Sequence, residues 1–405
     1  MPARPTNHKN ARRTTQRELE KLRGELRNID SKLIRLLSLR IRLARRIGFL
    51  KRRLGKQVID RAAERLVIGN IVRTAKKLGV DVAFAKQVAA LLIDRSVEVQ
   101  LQSRSAIESR RKVGIIGAGG MGTWFARFFV SRGDEVFVAD QNSRRAQRLA
   151  RIVHARQAAD NVEAARGSDI IILATPPNTI HKIIEEILSA ANRDAVLIEI
   201  SAVKYPTIQP LRVAEKYGLR VASIHPMFGP LASTDMRNKR IIFVKSGRWK
   251  QSLRIIKRLF SGAEIVVTQP EIHDKQTAVT LALPHFLNMA FAKAACGRRR
   301  NISALQNFAG RTFSMQLLLS EIIANDPETA ADIQIMNKQF RRVLRDVRDE
   351  VESLATTVKR CDRLSLVAHY TQIGRLLAAD PQFSVGPRIF EKAYDAMTRT
   401  SENSI

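Results

Sequence analysis

The sequence predicts three successive domains: an all-α domain, an α/β domain built on a parallel sheet, and a second all-α domain. Three observations predict this order. Apolar residues recur at helical spacing from residue 17 to about 110, short apolar runs alternate with amphipathic segments from 112 to about 268, and helical spacing returns after Pro270. The length of 405 residues suits two or three domains of about 100–200 residues each.

Composition narrows the class of protein. Hydrophobic residues make up 45% and charged residues 27%, which is typical of globular chains. The two cysteines, Cys296 and Cys361, are too few for a disulfide framework or a four-ligand zinc site. No signal-peptide pattern opens the chain, and no unbroken apolar run reaches the roughly 18–20 residues that span a bilayer. We therefore expect a cytoplasmic protein with no metal and no membrane partner.

The charge balance is unusual, because 70 Lys+Arg face 38 Asp+Glu and give a formal net charge of +32. Such a field attracts polyanions, so a nucleic-acid-binding protein on an inactive enzyme fold is one alternative. Aromatic residues make up only 5%, and the basic residues are spread along the chain without forming one dense stripe. This pattern favours a basic surface that suits small anionic substrates, with no specific nucleic acid as partner.

The first all-α domain is predicted over residues 16–108, after a disordered basic leader at 1–15. Its first helix carries an apolar seam that steps mainly by threes and fours: Leu19, Leu22, Leu26, Ile29, Leu33, Leu36, Leu43, Ile47, Leu50 and Leu54. A seam this long predicts a helix of about 35 residues that packs along a partner helix. One seam position, 40, is an arginine.

Arg40 requires an anion. A buried cation without a partner is strongly destabilising, and no acidic residue lies within one turn of Arg40. Lys51 follows about three turns later on nearly the same face, roughly 16 Å along the axis. Two spaced polar pairs accompany them on the second and third helices, Asp60 with Glu64 and Ser96 with Gln100. Together these residues indicate the polar lining of a pocket in a helical bundle.

Residues 17–102 resemble the all-helical chorismate mutases. The resemblance implies that Arg23, Arg40 and Lys51 contact the carboxylates and the ether oxygen of the substrate. Asp60 and Glu64 would lie near the substrate hydroxyl, and Ser96 and Gln100 would make further contacts. It also implies an intertwined dimer in which Arg23 reaches the partner's site. Ala63 departs from the family, some members of which have an arginine there. The rearrangement needs a restrained dianion and stabilised charge on the ether oxygen, with no nucleophile.

A dinucleotide-binding motif opens the α/β domain, predicted over residues 111–269. A short apolar strand from Lys112 runs into Gly117-Ala-Gly119-Gly-Met-Gly122 and then a helix, which is the context that gives this motif weight. A second strand ends at Asp140, 23 residues after Gly117, where a carboxylate binds ribose hydroxyls in Rossmann domains. A carboxylate there favours NAD over NADP, a preference that the neighbouring Arg144 and Arg145 could weaken.

Three further strands are predicted at 170–174, 195–199 and 221–224. Chemistry in open α/β sheets lies outside the carboxyl ends of the strands. We expect Thr175, after the first, to contact cofactor, and Ser201, after the second, to contact substrate. His225 ends the third, and an ordinary histidine pKa near 6.5 allows it to accept a proton at neutral pH.

The segment His225-Pro-Met-Phe-Gly-Pro230 resembles the catalytic segment of prephenate dehydrogenases. The resemblance runs from Lys112 to about Phe340 and includes Asp274 after His273, the Pro284-His285-Phe286 run, and the Asn325–Glu328 turn. It implies that His225 is the catalytic residue and that His285 contacts substrate or cofactor.

Two departures from that family concern the substrate. Alanine occupies the usual serine position after the strand at 195–199, with Ser201 as its neighbour. Glu321 stands where the family's substrate-binding arginine is expected, and a carboxylate there would repel the substrate's carboxylates. The alternatives for that role are Arg311, Arg237, Lys239 and Arg240.

Together the two resemblances identify the chain as a member of the bifunctional chorismate mutase/prephenate dehydrogenase family of tyrosine biosynthesis. They imply conversion of chorismate to prephenate and NAD⁺-dependent oxidative decarboxylation of prephenate to 4-hydroxyphenylpyruvate. Helices predicted over 270–377 would form a homodimer interface, followed by a tail at 378–405 with one short helical stretch. A dehydrogenase that prefers arogenate, whose ammonium group suits Glu321, is the alternative within this class.

Overall fold

The structure, a computed structural model, describes residues 7–54, 60–102, 110–297, 301–381 and 383–402. Its contacts divide the chain into two compact units. One contains the N-terminal helices together with the segments Phe125–Phe137 and Ala150–Arg156, and the other contains most of the sheet and the C-terminal helices. The predicted order of all-α, α/β and all-α regions is confirmed.

The N-terminal region consists of three helices: α1 (Asn7–Arg53), α2 (Arg61–Lys77) and α3 (Val82–Gln102). Helix α3 packs against both α1 and α2. Residues 1–15 were predicted to be a disordered leader. Positions 1–6 lie outside the described residues, and residues from Asn7 onward belong to α1. No proline or glycine interrupts residues 7–23, so nothing ends the helix there.

Eight strands form one sheet: β1 (Lys112–Ile116), β2 (Glu135–Ala139), β3 (Arg156–Gln157), β4 (Ile170–Leu173), β5 (Val196–Glu199), β6 (Arg220–Pro226), β7 (Arg240–Val244) and β8 (Glu264–Thr268). The strand order is β3-β2-β1-β4-β5-β6-β7-β8. Strands β4, β5 and β6 are parallel, β7 is antiparallel to β6, and β8 is parallel to β7. The order reverses between β1 and β4, and ligands of such sheets bind outside the strand ends at that point.

Six helices connect these strands: α4 (Gly120–Val130), α5 (Ser143–Val153), α6 (Asn161–Ala165), α7 (Ile180–Ile187), α8 (Ile208–Lys216) and α9 (Trp249–Leu259). Strands β4 and β5 are buried at every position, as expected for parallel strands covered on both faces. Their continuous apolar runs are the signal by which the sequence predicts them.

The C-terminal region is helical: α10 (Pro270–Thr277), α11 (Leu283–Cys296), α12 (Ile302–Gln306), α13 (Arg311–Ala324), α14 (Pro327–Met336), α15 (Phe340–Lys359), α16 (Arg363–Leu377) and α17 (Gly386–Glu402). A π-helical turn over 278–282 joins α10 to α11. Its residues Ala278 and Ala282 form a small core with Ile333 and Phe340. The helix in the predicted tail is longer than expected, at 17 residues.

One helical stretch among the described residues, Pro270–Cys296, is long and apolar enough to cross a membrane by length and composition alone. A search for unbroken apolar runs misses it because His273 and Asp274 interrupt the pattern. A single such stretch is weak evidence, and in this structure both polar residues are buried and hydrogen-bonded within the protein.

Candidate active sites

Arg40 lies where α1 crosses α3. Its Nη1 donates to the carbonyl oxygen of Leu92 at 2.5 Å and also to the hydroxyl of Ser96. Two turns further along α1, a side chain on Gly48 would come within 2.9 Å of the Cα of Gln100. The absence of a side chain at Gly48 therefore lets the two helices approach closely, and this close approach holds Arg40 against α3.

The guanidinium of Arg40 has no carboxylate partner among the described side chains. Arg40 is half-buried, and this burial lowers its pKa. A guanidinium has five N–H donors, and Leu92 and Ser96 engage only Nη1. The remaining donors and the uncompensated charge are suited to an anion, as the seam position predicts.

The other predicted residues of the helical site are only partly brought together. Gln100 is buried one turn beyond Ser96 on α3, while Lys51 and Glu64 are half-buried. Asp60 differs from the prediction that it lies on the second helix. It precedes α2 and caps it, since its carboxylate accepts from the backbone N–H groups of residues 62 and 63 at 3.1 Å.

Arg23 is exposed on the N-terminal half of α1, about 25 Å along the axis from Arg40. The apolar seam of α1 is exposed as well, by 42% to 69% at each position: Leu19, Leu22, Leu26, Ile29, Leu33, Leu36, Leu43, Ile47, Leu50 and Leu54. Ten exposed apolar residues in one stripe are uncommon on a monomer and typical of an interaction surface. The partner helix that the seam predicts does not cover it within the described chain.

The glycine-rich loop after β1 requires its glycines for different reasons. Gly117 has φ +107°, and a Cβ there would lie 2.3 Å from the carbonyl oxygen of Ala174. A Cβ on Gly122 would lie 1.8 Å from the carbonyl oxygen of Gly117. Gly119 has no atom within 4 Å of its Cβ position. Gly117 and Gly122 therefore shape the loop, whereas the open space beside Gly119 lets a pyrophosphate approach the backbone.

Asp140 follows β2 and faces this loop. Its Oδ2 accepts from the N–H of Ala118 at 2.7 Å, and its Oδ1 accepts from the N–H of Asn142 at 2.8 Å. These two hydrogen bonds fix the carboxylate beside the glycine-rich turn. A fixed negative charge at this point suits ribose hydroxyls and disfavours a 2′-phosphate.

Thr175, Ser201 and His225 form a row across the sheet. Leu173 pairs with Glu199 and Glu199 pairs with Ser223, and each member of the row lies two residues further along the chain from one of these paired residues. The row therefore crosses the carboxyl ends of β4, β5 and β6, beside the point where the strand order reverses.

Two of the predicted ligand-contacting residues have a buried polar atom with no hydrogen-bond partner among the described residues: Oγ of Ser201 and Nδ1 of His285. Buried polar atoms are seldom left unpaired, so such atoms in a candidate site suggest a ligand. Burial also lowers the pKa of His285, which keeps its ring neutral. Both residues are thus suited to hydrogen bonds with a bound molecule.

His225 belongs to a hydrogen-bonded chain of three side chains. Its Nδ1 lies 3.0 Å from Nε2 of His273, and Nδ1 of His273 lies 2.8 Å from Oδ1 of Asp274. Burial, and then the neighbouring His273 and Lys204, hold the pKa of His225 well below its usual value. His225 is therefore a neutral imidazole with one nitrogen committed to His273.

A buried ion pair lies next to the strand residues that precede His225. Lys204 and Glu199 are both fully buried, with Nζ and Oε2 2.9 Å apart. Nζ of Lys204 also donates to the carbonyl oxygen of Ile224 at 2.7 Å, and the hydroxyl of Ser223 donates to Glu199 at 2.8 Å. The pair thus ties the end of β5 to the residue that precedes His225.

Sequence reasoning assigned no role to the Glu199–Lys204 pair or to His273. A signal for the pair exists, because a carboxylate at the end of a fully apolar strand, with a lysine five residues later, is uncommon in a parallel sheet. His273 lies 48 residues from His225. Nothing in the local pattern around either histidine indicates that they meet.

The predicted carboxylate-binding residues are engaged with partners of this chain. Arg311 pairs with Glu391 on α17, Arg237 with Asp235 and Arg240 with Glu264. Lys239 lies 3.0 Å from the hydroxyl of Ser233. Glu321 is exposed on α13.

Comparison with known proteins gives three matching family models: chorismate mutase type II over residues 22–101, NADP oxidoreductase coenzyme F420-dependent over 112–203, and the prephenate dehydrogenase dimerization domain over 269–372. A protein of Methanocaldococcus jannaschii named "Probable arogenate/prephenate dehydrogenase" is 24% identical over 257 residues. That alignment covers 62% of this chain and 57% of the relative, so the chain spans little more than half of the relative's length.

The T-protein of Enterobacter agglomerans is 21% identical over 362 residues, which cover 88% of this chain and 92% of that protein. Among solved structures, prephenate dehydrogenase from Aquifex aeolicus in complex with hydroxyphenyl propionate and NAD⁺ matches with a TM-score of 0.55 and 20% identity. The match covers 68% of this chain and 100% of that one. At this identity the structural match shows the fold alone. A mutase model, an oxidoreductase model and a dehydrogenase dimerization model match one chain in that order, so the chain is similar to the bifunctional chorismate mutase/prephenate dehydrogenase family over most of its length.

Proposed function

We propose that this chain is a bifunctional cytoplasmic enzyme of tyrosine biosynthesis. Its helical site converts chorismate to prephenate, and its sheet-end site oxidises prephenate with NAD⁺ to 4-hydroxyphenylpyruvate and carbon dioxide. The observation that carries the first activity is the half-buried guanidinium of Arg40 without a carboxylate partner among the described side chains. The second rests on His225, a buried neutral base at the carboxyl end of β6.

In the mutase reaction the protein restrains a dianion in its reactive conformer. Arg40 would bind a carboxylate while Ser96 keeps the guanidinium in place. Gln100, whose amide is neutral at any pH, would donate to the ether oxygen as negative charge grows there. Lys51 and Glu64 would complete the pocket, with Arg23 supplied by a second copy of the chain.

A homodimer follows from the exposed seam of α1. Its ten apolar residues gain burial only against a partner, and a second α1 offers a matching heptad pattern. Exposed apolar residues on the C-terminal helices, such as Ile322, Ile335 and Leu364, support a second contact there. The match to a dimerization domain over 269–372 supports the same assignment.

In the dehydrogenase reaction His225 would share the proton of prephenate's ring hydroxyl. NAD⁺, when bound, supplies the acceptor for the hydride from the hydroxyl-bearing carbon. The ring carboxylate leaves as carbon dioxide, its bonding electron pair aromatises the ring, and the shared proton ends on the phenol. Ser201 and His285, with their unpaired buried atoms, would contact the substrate. The protein mainly orients donor and acceptor.

NAD fits the described residues better than NADP. Gly119 leaves room for a pyrophosphate, and Asp140 presents a fixed carboxylate to the ribose, with Thr175 beside the crevice. One matching family model is described by NADP and coenzyme F420. We favour NAD because the carboxylate of Asp140 would repel a 2′-phosphate directly. Arg144 and Arg145 follow closely and would oppose this preference.

Arogenate is the second candidate substrate of the dehydrogenase. Glu321 favours it, because its carboxylate would attract the ammonium group that arogenate has and prephenate lacks. Comparing kcat/KM for prephenate and arogenate decides between them.

The test of the whole proposal is one assay in two stages. Purified protein is given chorismate, whose loss is followed, and NAD⁺ is then added while NADH is measured. We expect chorismate loss without cofactor and NADH only after NAD⁺ is added. A folded protein that consumes no chorismate, but is retained on plain duplex DNA in a salt-sensitive manner, would instead support the nucleic-acid alternative.

A further inference from the structure

We propose that Asp274, acting through His273, holds His225 in the tautomer that carries its proton on Nδ1 and leaves Nε2 free as the base. This inference rests on the proposed dehydrogenase activity of His225. It assigns a positioning role to two residues of α10, which lies beyond the last strand of the sheet.

The assignment begins at Asp274, because backbone N–H groups donate to both of its side-chain oxygens. Its Oδ1 accepts from the N–H of Lys204 at 3.0 Å, and its Oδ2 accepts from the N–H of Tyr205 at 2.9 Å. Both oxygens therefore act as acceptors. The atom of His273 that faces Oδ1, Nδ1, must then be the donor.

The tautomers of both histidines follow from that donor. His273 is neutral because burial lowers its pKa, so a proton on Nδ1 leaves Nε2 with a lone pair only. His225 Nδ1 faces this lone pair at 3.0 Å and must donate to it. His225 is neutral as well, so its second nitrogen, Nε2, carries no proton.

The same chain stabilises the charge that forms during the reaction. When Nε2 of His225 takes up the hydroxyl proton, the ring becomes an imidazolium whose Nδ1–H still points at His273. Its positive charge is repelled by the ammonium of Lys204. The carboxylates of Asp274 and Glu199 attract positive charge on the neighbouring His273, to which His225 is hydrogen-bonded. Since Lys204 is paired with Glu199, the charge of Asp274 is the one left to balance His225.

A purely structural role for these residues makes different predictions. Asp274 also anchors the loop at residues 204 and 205, so its removal alone could loosen the fold. His273 allows a cleaner comparison. In His273→Gln the side-chain oxygen can replace Nε2 as acceptor for His225, whereas His273→Leu fills similar space without an acceptor.

The first experiment is ¹⁵N NMR of histidine-labelled, full-length protein. We expect the wild-type His225 signal to report a protonated Nδ1 and a bare Nε2 at neutral pH. Asp274→Asn should move this signal towards the opposite tautomer. A wild-type His225 with its proton on Nε2 would overturn the proposal, even if no variant could be purified.

The second experiment measures kcat and KM for prephenate across pH. His273→Leu and Asp274→Asn should lower kcat by about 10²–10⁴-fold with little change in KM, and His273→Gln should recover much of the loss. His369→Gln is the control, since this histidine pairs with Glu350 on an exposed surface. Equal losses of kcat in the Gln and Leu variants, with unchanged pH profiles, would assign His273 a structural role only.

Failure of the wild type to reduce NAD⁺ would instead refute the proposed function. The NMR result would still test the tautomer in that case.

Discussion

At the scale of single residues, the reactivity of Arg40 and His225 is set by what surrounds them. Arg40 keeps uncompensated charge because its described partners are a carbonyl and a hydroxyl. His225 is kept neutral by burial and two basic neighbours.

Sequence patterns are enough to identify both residues as candidates, Arg40 as a cation in an apolar seam and His225 as a histidine at a strand end. The link to His273 is beyond such patterns, because tertiary packing alone brings the two histidines together.

Replacing Arg40 and His225 separately should separate the two activities. Arg40→Ala is expected to lower mutase turnover by at least about 10²-fold, since it removes the charged donors, while oxidation of supplied prephenate continues. His225→Asn should do the reverse. Chorismate loss and NADH formation are measured for each variant. If one change abolished both activities in a folded protein, the two-site interpretation would be wrong.

The pH dependence of the dehydrogenase follows from the direction of the pKa shift of His225. Burial lowers this pKa, so the neutral, active base persists as the pH falls below 6.5. The acid limb of kcat/KM should therefore lie below the pKa of an ordinary histidine, with activity lost only as the pH falls through the lowered value. A limb centred at or above 6.5 would contradict this expectation.

At the scale of elements, one loop and one helix crossing depend on glycine. The sequence motif identifies the loop at 117–122, but only the structure shows which of its glycines avoid a steric clash and which leaves open space. Strands β7 and β8 were not predicted from the sequence, and their burial shows why. Each begins with a charged residue and is partly exposed, whereas β4 and β5 are buried at every position.

Gly122 and Gly119 should respond differently to alanine. Gly122→Ala would drive a methyl group to within 1.8 Å of a backbone oxygen, so we expect a lower melting temperature. Gly119→Ala meets no protein atom within 4 Å, so it should melt like the wild type yet bind NAD⁺ more weakly. Calorimetry and NAD⁺ titration separate the two effects. Equal melting temperatures for the two variants would argue against the loop geometry.

The helix crossing at Gly48 can be tested with the glycine of a neighbouring helix as a control. Gly48→Ala forces α1 away from Gln100 and should reduce both unfolding free energy and mutase kcat/KM. Gly69→Ala on α2 meets nothing within 4 Å, so it should stabilise by about 0.5–1 kcal/mol through helix propensity alone. Denaturant titration and chorismate loss provide the two readouts.

At the scale of the whole molecule, the exposed seam of α1 supports the proposal that a second chain completes the mutase site. The sequence predicts the seam and its need for a partner helix, and the structure leaves all ten seam residues exposed. What the sequence could not predict is the length of α1, 47 residues, because its N-terminal part lacks the apolar periodicity that identifies the rest.

Mixed dimers should reveal whether Arg23 acts across the interface. Arg23→Ala and Arg40→Ala are each expected to be inactive as mutases. Co-expressed, they should recover about a quarter of wild-type turnover, because half of randomly assorted dimers are mixed and each carries one intact site. Chorismate loss by the co-purified mixture is the measurement. No recovery in a proven heterodimer would mean that Arg23 and Arg40 serve the same pocket of one chain.

The position of His273 and Asp274 beyond β8 has a consequence for how such genes can be rearranged. The α/β segment ends before the two residues that position His225 in the proposed mechanism. After a crossover near codon 269, the incoming 3′ segment would encode the residues that position the base as well as those that make the subunit contacts. Only donors that brought an equivalent histidine–aspartate pair would leave functional descendants, so this junction should be a rare breakpoint in gene fusions.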